Sequence, residues 1–221
     1  DWGGPSAILN IGMNDAVYVE LCDRIGKEAA TRLYVRFVQA YSIHVARLDP
    51  DMFDEIAPDE GAQSLTDALR AYEDETDEAF PQDPAQQLSE VLRSMARAWN
   101  GTTARLLRMA KGAPADAGLG LVVQHLALGV GHGESGAGVI QLVDEKTGQQ
   151  MIRGRYQRQS QGREALTAGA SALYLEKDDR GPSLEDVAPE AFELLKTYAR
   201  LMRTRLREEM QVEFTIENGK V

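Results

Sequence analysis

The chain has 221 residues, of which 43% are hydrophobic and 27% are charged. This composition is typical of a globular protein with one or two hydrophobic cores, and it excludes a fibrous or a disordered chain. The formal net charge of -11 argues against a nucleic-acid partner and against an anionic membrane surface, because both would repel an acidic protein.

Apolar periodicity predicts that the first half of the chain is mostly helical. Between residues 15 and 48 the apolar residues recur every three or four positions, with a break at Gly26 that should divide the helix in two. Residues 67–80 are predicted to form a shorter polar helix. Pro84 can start a further helix, which should end near Gly101.

The second half is predicted to begin as a sheet. Residues 120–129 are almost continuously apolar, which indicates a buried strand, and residues 135–143 and 149–157 indicate two more. Pro189 is predicted to open a long helix, which leads into a last strand at residues 212–216.

The C-terminus carries a strong hairpin signal. Asn218-Gly219 favours a type I′ turn, because both central positions of that turn need a positive φ. Only Lys220 and Val221 follow, so we expect the returning strand to lie beyond Val221. The chain also begins at Asp1 rather than at a methionine, which leads us to expect a piece of a longer protein.

The first ten residues have neither the basic n-region nor the long apolar h-region of a signal peptide, and no stretch approaches the length of a membrane-spanning helix. Cys22 is the single cysteine, which fits a reducing compartment. We therefore expect a cytoplasmic protein with no membrane partner and no nucleic-acid partner.

A glycine-rich segment, GVGHGES, occupies residues 129–135. Its spacing matches neither the P-loop nor the dinucleotide-binding fingerprint. Two interpretations stay open: a loop whose backbone approaches a ligand closely, and a plain flexible connection between two strands.

Eight segments, in order, resemble the N-terminal nucleotide-binding part of the pyruvate phosphate dikinase family. Together they cover nearly the whole chain, and their order and spacing make the resemblance specific. The segments are AILNIGMND, FPQDPAQQL, AWNGTTARLLR, GLVVQHLALG, SGAGV, KTGQ, SQG and EMQVEFTIENGK.

The resemblance implies an α+β fold of the ATP-grasp type, in which two subdomains clasp a nucleotide. A mostly helical subdomain would cover residues 1–110. A mainly antiparallel sheet with a long C-terminal helix would cover residues 111–221 and would be truncated at its last strand. The cofactors implied are ATP and Mg²⁺. The partner implied is a phosphohistidine-type domain, of the same or another chain, that receives the phosphoryl group.

The histidines of this chain do not match that acceptor. His44, His125 and His132 lack the Gly-, Thr- and Ser-rich surroundings of the family's phosphorylated histidine. No residue of the chain is therefore assigned a catalytic role.

Nucleotide contacts are assigned by matching segments of the family. Gln124, His125 and Leu126 match the strand beside the adenine, so the resemblance implies that their backbone groups bind it. Arg105 lies in the AWNGTTARLLR match, where a ligand contact and a structural role both stay open.

The metal ligands are assigned near the chain end. Family members usually carry two acids that alternate on one face of a strand, where this chain has Gln211 and Glu213. We expect Glu213 to bind the metal and Gln211 to contribute at most an uncharged oxygen.

A second departure from the family is Arg155, where an acid is expected. With Arg153, Arg158 and Arg163 it forms a cationic stretch. These arginines either bind phosphates or another anionic ligand, or they lie on an exposed strand face.

Two functions follow. The first is a part of the ATP-binding domain of a dikinase-like phosphotransferase, which holds Mg-ATP for transfer to a histidine on another domain. The second is a non-catalytic domain of the same fold, in which Gln211 and Arg155 have removed metal chemistry and which serves binding or regulation.

Overall fold

A computed structural model describes residues 7–58, 61–114, 116–144, 146–162, 171–207 and 211–221. The described chain combines helices with an antiparallel sheet, as the α+β class predicts. It divides into two compact units, Asp1–Leu126 and Ala127–Val221. Within the described ranges, no helix is both long and apolar enough to cross a bilayer.

Local sequence signals set the helices of the first unit. Its α-helices, within the described residues, are α1 (Asp15–Ile25), α2 (Lys27–Tyr41), α3 (Ala62–Thr76), α4 (Pro84–Asn100) and α5 (Thr102–Ala110). The predicted break at Gly26 is confirmed, because its φ of 90° lies in the left-handed region and separates α1 from α2. Asp83 caps α4 by accepting a hydrogen bond from the backbone N–H of Ala85. The helix predicted at residues 67–80 is α3, which begins and ends earlier.

Aromatic side chains form the core of the first unit. The ring of Phe80 lies 5.2 Å from the rings of both Tyr41 and Tyr72, and 5.7 Å from that of Phe37. These edge-to-face contacts join α2 and α3 to the segment that leads into α4.

The second unit is built on a four-stranded antiparallel sheet. Its strands are β1 (Gly136–Val143), β2 (Gln150–Arg158), β3 (Leu173–Tyr174) and β4 (Gln211–Ile216), in the order β3-β2-β1-β4. Among the residues of this unit that the structure describes, the helices are α6 (Leu184–Val187) and α7 (Pro189–Leu206). Four predicted elements are thereby confirmed: the strands β1 and β2, the long helix that opens at Pro189, and the last strand.

One face of this sheet is covered by α7. Ile140, Tyr156 and Phe214 of the sheet belong to one buried cluster with Phe192 and Leu195 of α7. Because side chains alternate along a strand, the residues between these core positions project from the opposite face. That opposite face carries the predicted site residues of β2 and β4.

The strand predicted over residues 120–129 is wrong. Residues 120–128 form no regular secondary structure, and the side chains of Val122 and Val123 are 85% and 65% exposed. The apolar composition favoured a strand, but a strand also needs a neighbour that pairs with its N–H and C=O groups. None of the described strands pairs with this segment.

The predicted C-terminal hairpin turn is confirmed. Asn218 and Gly219 have φ values of 50° and 78°, and Glu217 pairs with Lys220 across the turn. The N–H of Glu217 donates to the carbonyl of Lys220 at 2.9 Å. Positive φ at both central positions is what the Asn-Gly pair predicts.

Candidate functional site

Two rows of side chains cross the face of the sheet opposite α7. In the first row, Gln141 of β1 is paired with Arg153 of β2 and with Gln211 of β4. Residues directly opposite each other in antiparallel strands project from the same face, and so do residues two positions along. The second row consists of Arg155, Val139 and Glu213. The predicted site residues of β2 and β4 therefore share one face.

A cavity of about 440 Å³ lies on this face. This volume is within the range of about 300–1,000 Å³ that is typical of small-ligand sites. Its charged and amide lining residues are Gln141, Arg153, Arg155, Glu176, Arg180 and Gln211. Glu213, in the second row, lies beside the cavity and is exposed. The lining is thus richer in cations than in acids.

The ring of Tyr174 joins two of these arginines. The Cζ of Arg155 lies 4.2 Å from the ring centroid and that of Arg180 lies 4.5 Å from it, so both make cation–π contacts. Arg155 also donates to the carbonyl of Ala172 at 3.2 Å, and the Nε of Arg180 donates to Asp178 at 2.6 Å. The two guanidinium groups are therefore held in defined positions at the cavity.

The donor set can be compared with what Mg²⁺ requires. Magnesium takes oxygen ligands and is often held by one or two carboxylates together with substrate phosphates. Glu213 is the single carboxylate of the two rows, and Gln211 adds an uncharged amide oxygen. Among the residues that the structure describes, no group of three or more His, Cys, Asp or Glu could hold a metal ion. Glu213 and Gln211 therefore fit a magnesium ion that is bound together with a phosphate ligand.

The remaining predicted contacts lie in the first unit. Gln124 and His125 are exposed and Leu126 is half-buried, in the irregular segment that replaces the predicted strand. Arg105 is exposed on α5. The neighbouring Arg108 has a structural role, because its Cζ lies 3.7 Å from the ring centroid of Trp99 and its guanidinium donates to the Trp99 carbonyl at 2.6 Å.

The cationic stretch separates into different roles. Arg153 and Arg155 line the cavity. Arg158 instead pairs with Glu134, with 2.9 Å between a guanidinium nitrogen and the carboxylate. This pairing raises the pKa of the Arg158 guanidinium above its ordinary value. Arg163 lies outside the described residues.

The glycine-rich loop is tied to the C-terminal hairpin. The N–H of Gly219 donates to the carbonyl of Glu134 at 2.7 Å, and Ser135 Oγ donates to the carbonyl of His132 at 3.0 Å. The N–H of Gly131 donates to the side chain of Gln159 at 2.9 Å. The loop is therefore not a plain flexible connection, since hydrogen bonds from two other segments hold it in place.

Comparison with known proteins gives one consistent result, although no protein-family model matches the chain. A pyruvate, phosphate dikinase of Rhizobium meliloti is 28% identical over an alignment 243 positions long, which includes 99% of this chain and 27% of the dikinase. Dikinases of Clostridium symbiosum and Rickettsia conorii are 26% and 24% identical, over 99% of this chain and 26% and 27% of their own lengths. The chain is similar to part of a pyruvate, phosphate dikinase. It spans about a quarter of the length of these relatives, and the similarity supports the family resemblance seen in the sequence.

Two of the dikinase-like segments contact each other in the structure. Gln87, from FPQDPAQQL, is fully buried, and its Oε1 accepts a hydrogen bond from the N–H of Gly12 at 2.8 Å. Its Nε2 donates to the carbonyls of Met13 and Pro81 at 2.9 and 2.7 Å. Gly12 and Met13 belong to AILNIGMND, so these two segments form one hydrogen-bonded structural element of the first unit.

Sequence reasoning did not find Gln141, Tyr174, Glu176 and Arg180, which line the cavity. Tyr174 and Arg180 belong to no recognisable motif, and they reach β2 only through the pairing of β2 with β3. Gln141 could be found from the alternation of β1 once its pairing with Gln211 is known. The missed residues therefore depend on long-range pairing.

Proposed function

We propose that this chain is part of the ATP-binding region of a pyruvate phosphate dikinase-like phosphotransferase. It holds Mg-ATP while a phosphoryl group passes to a histidine on another domain. The similarity to dikinases over nearly the whole chain supports this proposal.

The observation that carries the proposal is the polar face of the sheet. It combines cationic side chains, amide side chains and one carboxylate around a cavity of small-ligand size. Phosphoryl transfer relies on positioning and on positive charge around the phosphates, more than on covalent chemistry by the protein.

Each predicted residue has a defined part in this proposal. Arg155 and Arg105 contact the nucleotide, and Glu213, with the weaker ligand Gln211, binds the magnesium that accompanies the phosphates. Gln124, His125 and Leu126 offer backbone hydrogen bonds to the adenine. The exposure of Gln124 and His125 is consistent with such a contact.

A specific observation favours the second candidate, a non-catalytic domain with a binding or regulatory role. Gln211 brings no charge to the strand that carries Glu213, and Arg155 occupies the same row as Glu213, two strands away. A cation in this position lowers the local affinity for a metal ion.

Calorimetric titration of the chain with ATP and magnesium tests the proposal. We expect binding at millimolar nucleotide or below, and weaker binding by Glu213→Gln. The matched control is Glu190→Gln, which removes an exposed carboxylate of α7. Absence of heat at millimolar nucleotide would contradict the proposal. Transfer of ³²P from ATP to a dikinase phosphohistidine domain separates the two candidates, since the non-catalytic domain transfers none.

A further inference from the structure

We propose that the cavity binds a polyphosphate chain directly through arginine side chains, and that this binding does not require a divalent ion. This inference rests on the proposed function, because it specifies how the same face would hold the phosphates. The ligand class is a linear polyphosphate, either free or as the phosphate chain of a nucleoside triphosphate.

The first argument is the charge at the cavity. Three guanidinium groups line it, from Arg153, Arg155 and Arg180, against the single lining carboxylate of Glu176. Arg180 is also paired with Asp178, which lowers the pKa of the Asp178 carboxyl, so this arginine is held at the cavity by a neighbouring acid. The chain as a whole carries a formal charge of -11, whereas the lining of this cavity has three arginines to one carboxylate.

The second argument is the chemistry of the cations. Guanidinium groups stay charged at every physiological pH and present several N–H donors in one plane, which suits the oxygens of a phosphate. Gln141 and Gln211 add amide donors to the same lining. The cavity therefore offers both charge and hydrogen bonds to a polyanion.

The third argument is preorganisation. Arg155 and Arg180 both rest on the ring of Tyr174, and each has a further hydrogen-bond acceptor that fixes its orientation. A side chain that is already ordered loses less entropy when a ligand binds. Arg153 is exposed in the first row, and it is the second arginine, after Arg155, that β2 contributes to the cavity.

The fourth argument concerns the metal. A divalent ion is needed at a phosphate site mainly to neutralise charge and to bridge oxygens, and arginines can supply the neutralisation themselves. The two rows supply one carboxylate, Glu213, and within the described chain no cluster of three or more potential metal ligands is present. The residues that line the cavity therefore suit a polyphosphate anion better than they suit a divalent metal ion.

Calorimetry with sodium tripolyphosphate and with ATP, each in EDTA and in excess magnesium, tests this inference. We expect tripolyphosphate to bind in EDTA, with an affinity that changes by less than about threefold when magnesium is added. Arg153→Gln should weaken binding by about fivefold or more, and Arg153→Lys, which keeps the charge without the planar donors, should have a smaller effect. The control Arg200→Gln removes an exposed arginine of α7 and should leave the affinity within about twofold.

The outcomes separate this inference from the proposed function. If ATP binds with magnesium and neither ligand binds in EDTA, the arginine inference is wrong and the proposed function stands. If tripolyphosphate binds in EDTA but ATP does not bind under either condition, the cavity is a site for inorganic polyphosphate and the proposed function is wrong. An unchanged affinity of Arg153→Gln, with an intact circular dichroism spectrum, would overturn the assignment of the cavity.

Discussion

The backbone N–H of Asn218 donates a 2.9 Å hydrogen bond to the Oγ of Ser135, although 83 residues separate the two in the chain. The Ser135 side chain is buried, and its Oγ donates onward to the carbonyl of His132. One hydroxyl thus satisfies a donor of the C-terminal hairpin and an acceptor of the glycine-rich loop. This link fixes the start of β1 relative to the end of β4.

Replacement of this hydroxyl should destabilise the protein. In Ser135→Ala the N–H of Asn218 and the carbonyl of His132 lose their partner, which should lower the free energy of unfolding by about 1–2 kcal/mol. Urea unfolding followed by circular dichroism measures the change. Thr197→Ala, on the exposed face of α7, is the control and should stay within about 0.5 kcal/mol of the parent chain. Equal effects of the two substitutions would contradict the structural role of Ser135.

Tyr156 should make the stability depend on alkaline pH. Its side chain is fully buried, and its hydroxyl donates to the carboxylate of Glu134 at 3.0 Å. Burial, and then the charge of Glu134, raise the pKa of the Tyr156 phenol above its ordinary value of 10.0. The unfolded chain releases this proton at a lower pH than the folded chain does. The contribution of Tyr156 to the free energy of unfolding is therefore fully present below pH 10 and is lost as the pH rises further.

Tyr156→Phe should make this loss less steep. One retained proton changes the free energy of unfolding by about 1.4 kcal/mol for each pH unit above the pKa of the unfolded tyrosine. Burial also raises the pKa of Tyr34 and Tyr41, so the variant keeps part of the slope. Urea unfolding of both chains between about pH 10 and pH 11 measures the difference. Identical slopes would show that Tyr156 does not hold its proton in the folded state.

Substitution of Gln87 should destabilise the first unit more than most other single substitutions do. Its buried amide makes three hydrogen bonds to backbone groups, and truncation leaves those groups without a partner inside the protein. We expect Gln87→Ala to lower the free energy of unfolding by about 3 kcal/mol. Gln86→Ala is the matched control, because Gln86 is exposed and its amide donates a hydrogen bond to Glu90, one turn further along α4. A loss for Gln86→Ala as large as that for Gln87→Ala would contradict this account.

Local chemistry explains which elements could be predicted from the sequence. The start of α4 follows from Asp83 and Pro84, and the break before α2 follows from Gly26. The turn at Asn218-Gly219 follows from the positive φ that both residues tolerate. Each of these signals acts within a few residues, so a sequence contains all the information that they need.

The errors and omissions arise where the structure depends on contacts between residues that are distant in the sequence. Residues 120–129 have the composition of a strand, but composition does not show whether a neighbouring strand exists. Arg180 reaches the cavity through its contact with Tyr174, which depends on the pairing of β3 with β2. The resemblance indicates Glu213 and Arg155, but only the register of three strands shows that they lie in one row.

Gln211→Asp should make nucleotide binding depend more strongly on a metal ion than it does in the parent chain. Gln211 is exposed on β4, two residues before Glu213 and on the same face, so the substitution creates two carboxylates that can bind one metal ion. With magnesium present, we expect the affinity for ATP to rise by about tenfold, or about 1.4 kcal/mol. In EDTA the affinity should fall instead, because the new carboxylate repels the phosphates beside Arg153. Calorimetry under both conditions measures the two effects. The control Gln211→Asn keeps an uncharged amide and should show neither the gain with magnesium nor the loss in EDTA. If the gain of Gln211→Asp persists in EDTA, a metal ion is not its cause.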